Sequence, residues 1–217
     1  AQAYNISEIL YDNLLDDYDP SVTSAQLSAL FSRLEGALSP LIAECSEHKP
    51  APELGTFSDK ELNQINSRII KALGFNLSSG RLDQSAHPFT VGITPSDVRL
   101  TTHNNSDNLL GTIGGTIHEC GHGLYEQNLP VELKHLGLCQ VPGAGIHESQ
   151  SRFYENVIGR SLSFFQWLAP ICNEIRSNGK MLSAEELYLA ANPVLPSPIR
   201  TEADETTYNL HIIIRFQ

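Results

Sequence analysis

His118-Glu119-Cys120-Gly121-His122 places two imidazoles four residues apart, with a carboxylate beside the first. On an α-helix residues i and i+4 share a face, so both rings can hold one Zn²⁺ at roughly 2.0–2.1 Å. Glu119 then reaches a water on the metal and takes its proton, the arrangement of a metal-assisted hydrolase. The same five residues also occur on helices whose histidines only pack or face solvent, so the surroundings decide.

A catalytic Zn²⁺ takes three protein ligands and keeps one position open. Glu126 lies on the right helical face, yet at 1.5 Å per residue it stands about 12 Å from His118, too far to share an ion. The third ligand must come from another segment. Glu148, in His147-Glu148-Ser149-Gln150, opens the next helix after the loop 140–145, with Arg152 as its i,i+4 partner. The residues alone leave two roles open for it: metal ligand, or solvated first-turn glutamate favoured by the helix dipole.

Several elements must hold these groups in place. A helix from about Asp107 to Gln127 carries the HExxH, with Thr112, Ile113, Ile117 and Leu124 as apolar positions and Asn128 as a left-handed cap. Gly111, Gly114, Gly115, Gly121 and Gly123 oppose it, each at about 1 kcal/mol relative to Ala, so this helix requires tight packing against a neighbour. A second helix is expected from about Ile146 to Leu168, and a last one from about Thr201 to the end. Upstream, Thr23 to Gln26 and Ser58 to Glu61 form capping boxes, as does Ser183 to Glu186 downstream. The first box leads a helix with Pro40 as a point of kinking, the second a helix that Gly74 ends in the left-handed region, and Ile6 to Leu15 suggest a short first helix. Between Phe75 and Thr102, Pro88 and Pro95 break helices while the runs within 85–91 and 97–102 favour strands. The fold class expected is mainly α, with a small antiparallel β-ribbon.

Composition narrows the function. With 14 Lys and Arg against 25 Asp and Glu, the net charge of -11 speaks against nucleic acid or an anionic membrane as partner. In 217 residues, 41% apolar and 18% charged side chains build a core, and a single domain spanning 1–217 is expected. No apolar stretch approaches the roughly 18 residues of a membrane span and no leader pattern opens the chain, so a soluble, non-secreted protein is expected. Cysteines 45, 120, 139 and 172 lack paired spacing and read as reduced thiols of a cytoplasmic protein. The final helix ends on Ile212-Ile213-Ile214-Arg215-Phe216-Gln217 without a stop signal, so the chain reads as a truncated polypeptide. Its apolar side chains then favour self-association and weak activity.

His87-Pro88-Phe89, Asp97 to Thr101, His118 to His122, His147 to Gln150 and Ile199 to Asp204 follow one another in the order and spacing of a known set of motifs. The sequence resembles the zinc carboxypeptidase family typified by the thermostable Taq carboxypeptidase, along nearly the whole chain. It departs from that family at His103, where Arg is usual, at Asn128, where Gly is usual, and in lacking a GxxQDxHW motif. The resemblance implies a helical zincin-like fold with His118, His122 and Glu148 as metal ligands, Glu119 as catalytic base, and a homodimer. The cofactor implied is Zn²⁺, with Co²⁺ or another divalent ion able to take its place. The substrate implied is a peptide, whose free carboxylate would ask for Arg with two-pronged geometry. Arg99 and Arg200 lie in matched motifs and are candidates, each with an ion pair, to Asp97 or Asp204, as the alternative. His87 lines the site, orients a neighbour, or is a core histidine satisfied by backbone; Tyr208 and His211 are candidate donors to the oxyanion. Two competing readings are a self-associating zinc-binding fragment with impaired catalysis and a related HExxH endopeptidase.

Overall fold

The structure, a computed structural model, describes residues 7–45, 51–195, 197–200 and 203–217. Its elements run α1 (Leu10–Leu15), α2 (Ser24–Glu44), α3 (Asp59–Ala72), β1 (Gly80–Gln84), β2 (Thr90–Thr94), β3 (Asp97–Thr102) and α4 (Leu109–Gln127). A 3₁₀ turn (Val131–Leu136), α5 (Ala144–Arg152), a π-helical turn (Phe153–Ile158), α6 (Leu162–Ile175), α7 (Ala184–Ala191) and α8 (Glu205–Phe216) complete it. Contacts divide the chain into two compact units. Ala1–Ala51, Pro142–Gly145 and Asn192–Gln217 form the first, Pro52–Val141 and Ile146–Ala191 the second.

In the first unit α2 starts at the Thr23–Gln26 capping box and runs through Pro40, and α8 starts at Asp204, whose carboxylate accepts from the Thr206 and Thr207 N–H groups. Phe216 meets Phe31 and Tyr11 edge-on at 5.0 and 6.0 Å between ring centres. Ile213 is buried, so the last helix covers more of its apolar side than its sequence suggests, while Ile214 stays 71% exposed. Ile6 and Thr201, named in the sequence reading, lie outside the described residues.

In the second unit Ser58 and Glu61 form the expected box on α3, which sends Leu62, Ile65, Ile69 and Ile70 inward and ends at Gly74 with φ of 96°. The sheet order is β1-β3-β2, with β2 antiparallel and β1 parallel to β3. The expected ribbon is present as the β2–β3 pair; its first strand takes in Thr90 and Val91, the end of the 85–91 run, and continues to Thr94. Pro88 offers no N–H to a ladder, and the Phe89 N–H bonds the Thr101 hydroxyl at 3.0 Å in place of a backbone carbonyl. The parallel strand β1 was not foreseen, since Gly80-Arg81-Leu82-Asp83-Gln84 lacks the β-branched and aromatic residues that mark strands.

Two apolar clusters meet on α4. Leu109, Ile113 and Ile117 pack with α3 and α6 residues such as Ile65, Ile69, Phe165 and Leu168. Cys120 and Leu124 pack with Ile70, Phe75, Val98 and Leu100. Asn128 follows α4 at φ of -101°, not in the left-handed region expected, and its side chain donates to the Leu124 carbonyl at 2.7 Å. The helix expected from 146 to 168 is three pieces. After α5 the π-helical turn widens the coil, and at Ser161 a new N-cap accepts from the Phe164 N–H at 3.1 Å.

Candidate metal centre

α4 and α5 approach so closely that their backbones touch. A Cβ on Gly121 would lie 2.7 Å from the Ser151 Cα and 3.0 Å from the Gln150 carbonyl oxygen. This contact brings Glu148, from the first turns of α5, over the HExxH face of α4. Gly123 lies equally close to the side chains of Leu100 and Phe75, so these two glycines carry the tight packing that the sequence demanded.

His118, His122 and Glu148 converge, with one ligand atom from each within 4.8 Å of the others. The Glu148 carboxylate places Oε1 3.6 Å from His118 Nε2 and Oε2 3.2 Å from His122 Nε2. Ligands at roughly 2.0–2.1 Å in a tetrahedron lie about 3.3 Å apart, so each of these separations, one to either oxygen, is close to that between two ligands of one Zn²⁺-sized ion. Of the two roles open to Glu148 in the sequence, this geometry supports the ligand. The His122 ring hydrogen bond lowers the Glu148 pKa against the opposing effect of burial, with the charges of His118, His122 and Arg152 adding to it. Its side chain is 51% exposed, which leaves the cluster open to solvent on that side.

The far edges of the two rings differ. His118 Nδ1 lies 2.9 Å from Glu155 Oε2, whereas His122 Nδ1 is buried without a hydrogen-bond partner among the described residues. Burial lowers the His118 pKa, but the hydrogen bond and charge of Glu155, then the charges of Glu148 and Glu119, outweigh it and raise it. The His147 ring lies 4.4 Å from that of His122, and its Nε2 is 3.1 Å from Glu126 Oε1. Burial pushes Glu126 up and, with the His122 charge, pushes His147 down, so both move toward their neutral forms.

Glu119 is buried, and its Oε2 accepts from the Thr90 hydroxyl at 2.7 Å. Neither Thr90 nor Glu155 was singled out in the sequence. Thr90 begins β2, and pairing with Leu100 sets it on the sheet face toward α4.

The remaining candidates divide. Arg99 pairs with Val91 across the sheet and alternates with Val98 and Leu100, so it stands on the face turned away from α4. There it holds Asp97 with two bonds of 2.9 Å, the ion-pair alternative. His87 is exposed instead of forming part of the core. Its carbonyl accepts from the Ser85 hydroxyl, while the neighbouring Pro88 reaches α4 beside Gly115. Arg200 donates to the Tyr208 hydroxyl at 2.6 Å and lies over its ring; Arg200, Tyr208 and His211 all belong to the first unit. No described helix is long and apolar enough to cross a membrane.

Comparison with known proteins fits this geometry. The sequence model of the carboxypeptidase Taq (M32) metallopeptidases matches residues 1–217. Thermostable carboxypeptidase 1 of Thermus thermophilus is 40% identical over 212 residues, 96% of this chain and 42% of that protein. Carboxypeptidase 1 of Bacillus subtilis is 40% identical over 215 residues, 95% of this chain and 42% of that protein. Among solved structures, Pyrococcus furiosus carboxypeptidase superposes with a TM-score of 0.89 at 36% identity, covering 99% of this chain and 44% of that one. The chain thus spans under half the length of the relatives it matches.

Proposed function

The chain belongs to the carboxypeptidase Taq (M32) metallopeptidase family, and from that premise we propose that it contributes the metal centre of a zinc carboxypeptidase that removes C-terminal residues from peptides. The observation that carries the proposal is the pair of separations, 3.6 and 3.2 Å, from one Glu148 carboxylate to the Nε2 atoms of His118 and His122. His118, His122 and Glu148 would hold the ion. A divalent ion bound there supplies Lewis acidity and a water acidified enough to be deprotonated near neutral pH. Glu119, held by Thr90, takes that proton and returns it to the leaving amine. Arg200 is the proposed partner of the substrate carboxylate, and Tyr208 and His211 the proposed donors to the scissile carbonyl oxygen. Zn²⁺ is the proposed ion, replaceable by Co²⁺. The resemblance supports a homodimer, and four cysteines without a disulfide support a cytoplasmic setting.

The test combines metal content with hydrolysis on the same purified chain, using peptides with free and with amidated C-termini. Cleavage of the free peptide alone supports the proposal; cleavage of both favours an endopeptidase. Glu148→Ala should lose zinc. Glu119→Gln should keep it and lose about 10²- to 10⁴-fold in hydrolysis, the usual contribution of a positioned base. Zinc bound with no turnover by the unmodified chain would identify it as a metal-binding fragment, and failure to bind zinc would end the proposal.

A further inference from the structure

Glu155 sits two helical turns beyond Glu148, in the π-helical turn, and its carboxylate meets the other edge of the same imidazole. His118 is held between them, with Nε2 toward Glu148 Oε1 at 3.6 Å and Nδ1 against Glu155 Oε2 at 2.9 Å. We propose that Glu155 is a positioning residue for the metal centre: it accepts the Nδ1–H of His118, and so fixes the tautomer and ring angle that turn the Nε2 lone pair toward the ion. The inference rests on the metal-centre reading above.

Three observations bear on it. A neutral imidazole has one donor and one acceptor nitrogen, so a carboxylate on Nδ1 assigns the proton there and leaves Nε2 bare. Glu155 is only 18% exposed, and the Arg152 guanidinium lies 3.3 Å from the same Oε2 atom, so the carboxylate is held in place. His122 has no such anchor, since its Nδ1 is without a hydrogen-bond partner among the described residues and its ring rests against that of His147. One histidine is therefore oriented by a hydrogen bond and the other by packing. The π-helical turn that carries Glu155 is a rare departure from regular helix, of the kind that recurs at functional sites.

The experiment reads zinc affinity and the His118 tautomer on the whole chain, stripped of metal and then reloaded with zinc. Ring ¹⁵N shifts of His118 in the zinc-loaded, unmodified protein should show the proton on Nδ1 and the ion on Nε2. Competition with a chromophoric chelator should show zinc binding weakened about 10- to 100-fold in Glu155→Ala. The loss in Glu155→Gln should be smaller, because an amide oxygen still accepts, and far-UV circular dichroism should not change. A proton on Nε2 in the zinc-loaded protein overturns the proposal, as does zinc affinity within about twofold of the original in both variants, and the metal centre survives either result. If the unmodified chain binds no zinc, or binds it equally after His122→Ala, the metal centre and the role of Glu155 fall together. Should Glu155→Ala not fold, the tautomer and the Gln variant decide.

Discussion

The Thr90 hydroxyl lies 2.7 Å from the carboxylate of Glu119 and 2.9 Å from its backbone carbonyl, so the first residue of β2 touches the helix at the residue proposed as base. A hydroxyl has one proton to give, and the charged oxygen is the stronger acceptor. The bond therefore restrains the Glu119 side chain while leaving its second oxygen available.

Thr90→Val keeps the shape and removes the donor. Hydrogen bonds to charged groups are worth about 1.5–3 kcal/mol, so hydrolysis is expected to fall roughly 10- to 100-fold with zinc content unchanged. Thr90→Ser should recover most of the rate. Measuring kcat, KM and bound zinc for both variants checks this, and equal activity in Thr90→Val would refute it.

The contact between α4 and α5 makes Gly121 unlike other helical glycines. Its hypothetical Cβ meets backbone atoms of Gln150 and Ser151, which cannot rotate aside. Gly121→Ala gains about 1 kcal/mol in helix propensity but incurs overpacking of about 1–3 kcal/mol, and α5 must move with Glu148. Lower thermal stability and weaker zinc binding are expected. Gly36→Ala, on the exposed side of α2 with nothing within 4 Å, is the control and should stabilise. A Gly121→Ala protein more stable than the original would mean that the helices separate freely.

What was legible in the sequence was local. HExxH works through i,i+4 adjacency, and the boxes at Thr23, Ser58 and Ser183 each bond within four residues, so spacing alone carried them. Strand β3 was legible at its observed bounds because apolar Val98 and Leu100 alternate with polar neighbours. That alternation also sets Arg99 opposite Leu100, but which face meets α4 is a tertiary fact. Glu155 reads as one more glutamate in a helix, because its partner lies 37 residues away and the π-helical turn that aims it has no sequence signature. Gly159 and the Ser161 cap were signals for ending the preceding helix, and the apolar run after them concealed the break.

Cys120 lies between the two metal-facing histidines in sequence, yet its thiol points into the cluster with Val98 and Leu100. Burial pushes it up to about 12, and does the same for Cys172. The thiolate is the reactive form, so neither should react with iodoacetamide in the folded chain. Half-buried Cys45 and Cys139 should be alkylated first. Mass spectrometry of digests before and after denaturation reads this directly, and early labelling of Cys120 would contradict the packing of α4 on the sheet.

Glu61 offers a pH dependence remote from the metal. Its carboxylate accepts from the Ser177 N–H at 2.6 Å and from the Ser58 N–H and hydroxyl at 2.7 and 2.8 Å, capping α3 and fastening it to the segment after α6. Those bonds, the Ser177 backbone first, lower its pKa from 4.5 to about 2. An unfolded chain binds this proton more readily than the folded one, so the stabilisation is fully present above the unfolded value of 4.5. It is then lost as pH falls toward 2. Glu61→Gln keeps the size but exchanges one acceptor oxygen for a donor that faces N–H groups, a change expected to cost about 1–3 kcal/mol near neutral pH. The gap between the two proteins should narrow as the buffer is taken from about pH 7 to about pH 2.5, because below 4.5 the unfolded chain takes up the proton that the folded glutamate still refuses. Urea unfolding of both proteins across that range measures the gap. A gap that stays constant would show that the charge on Glu61 adds nothing to the cap, and a gap that widens would reverse the sign of the linkage.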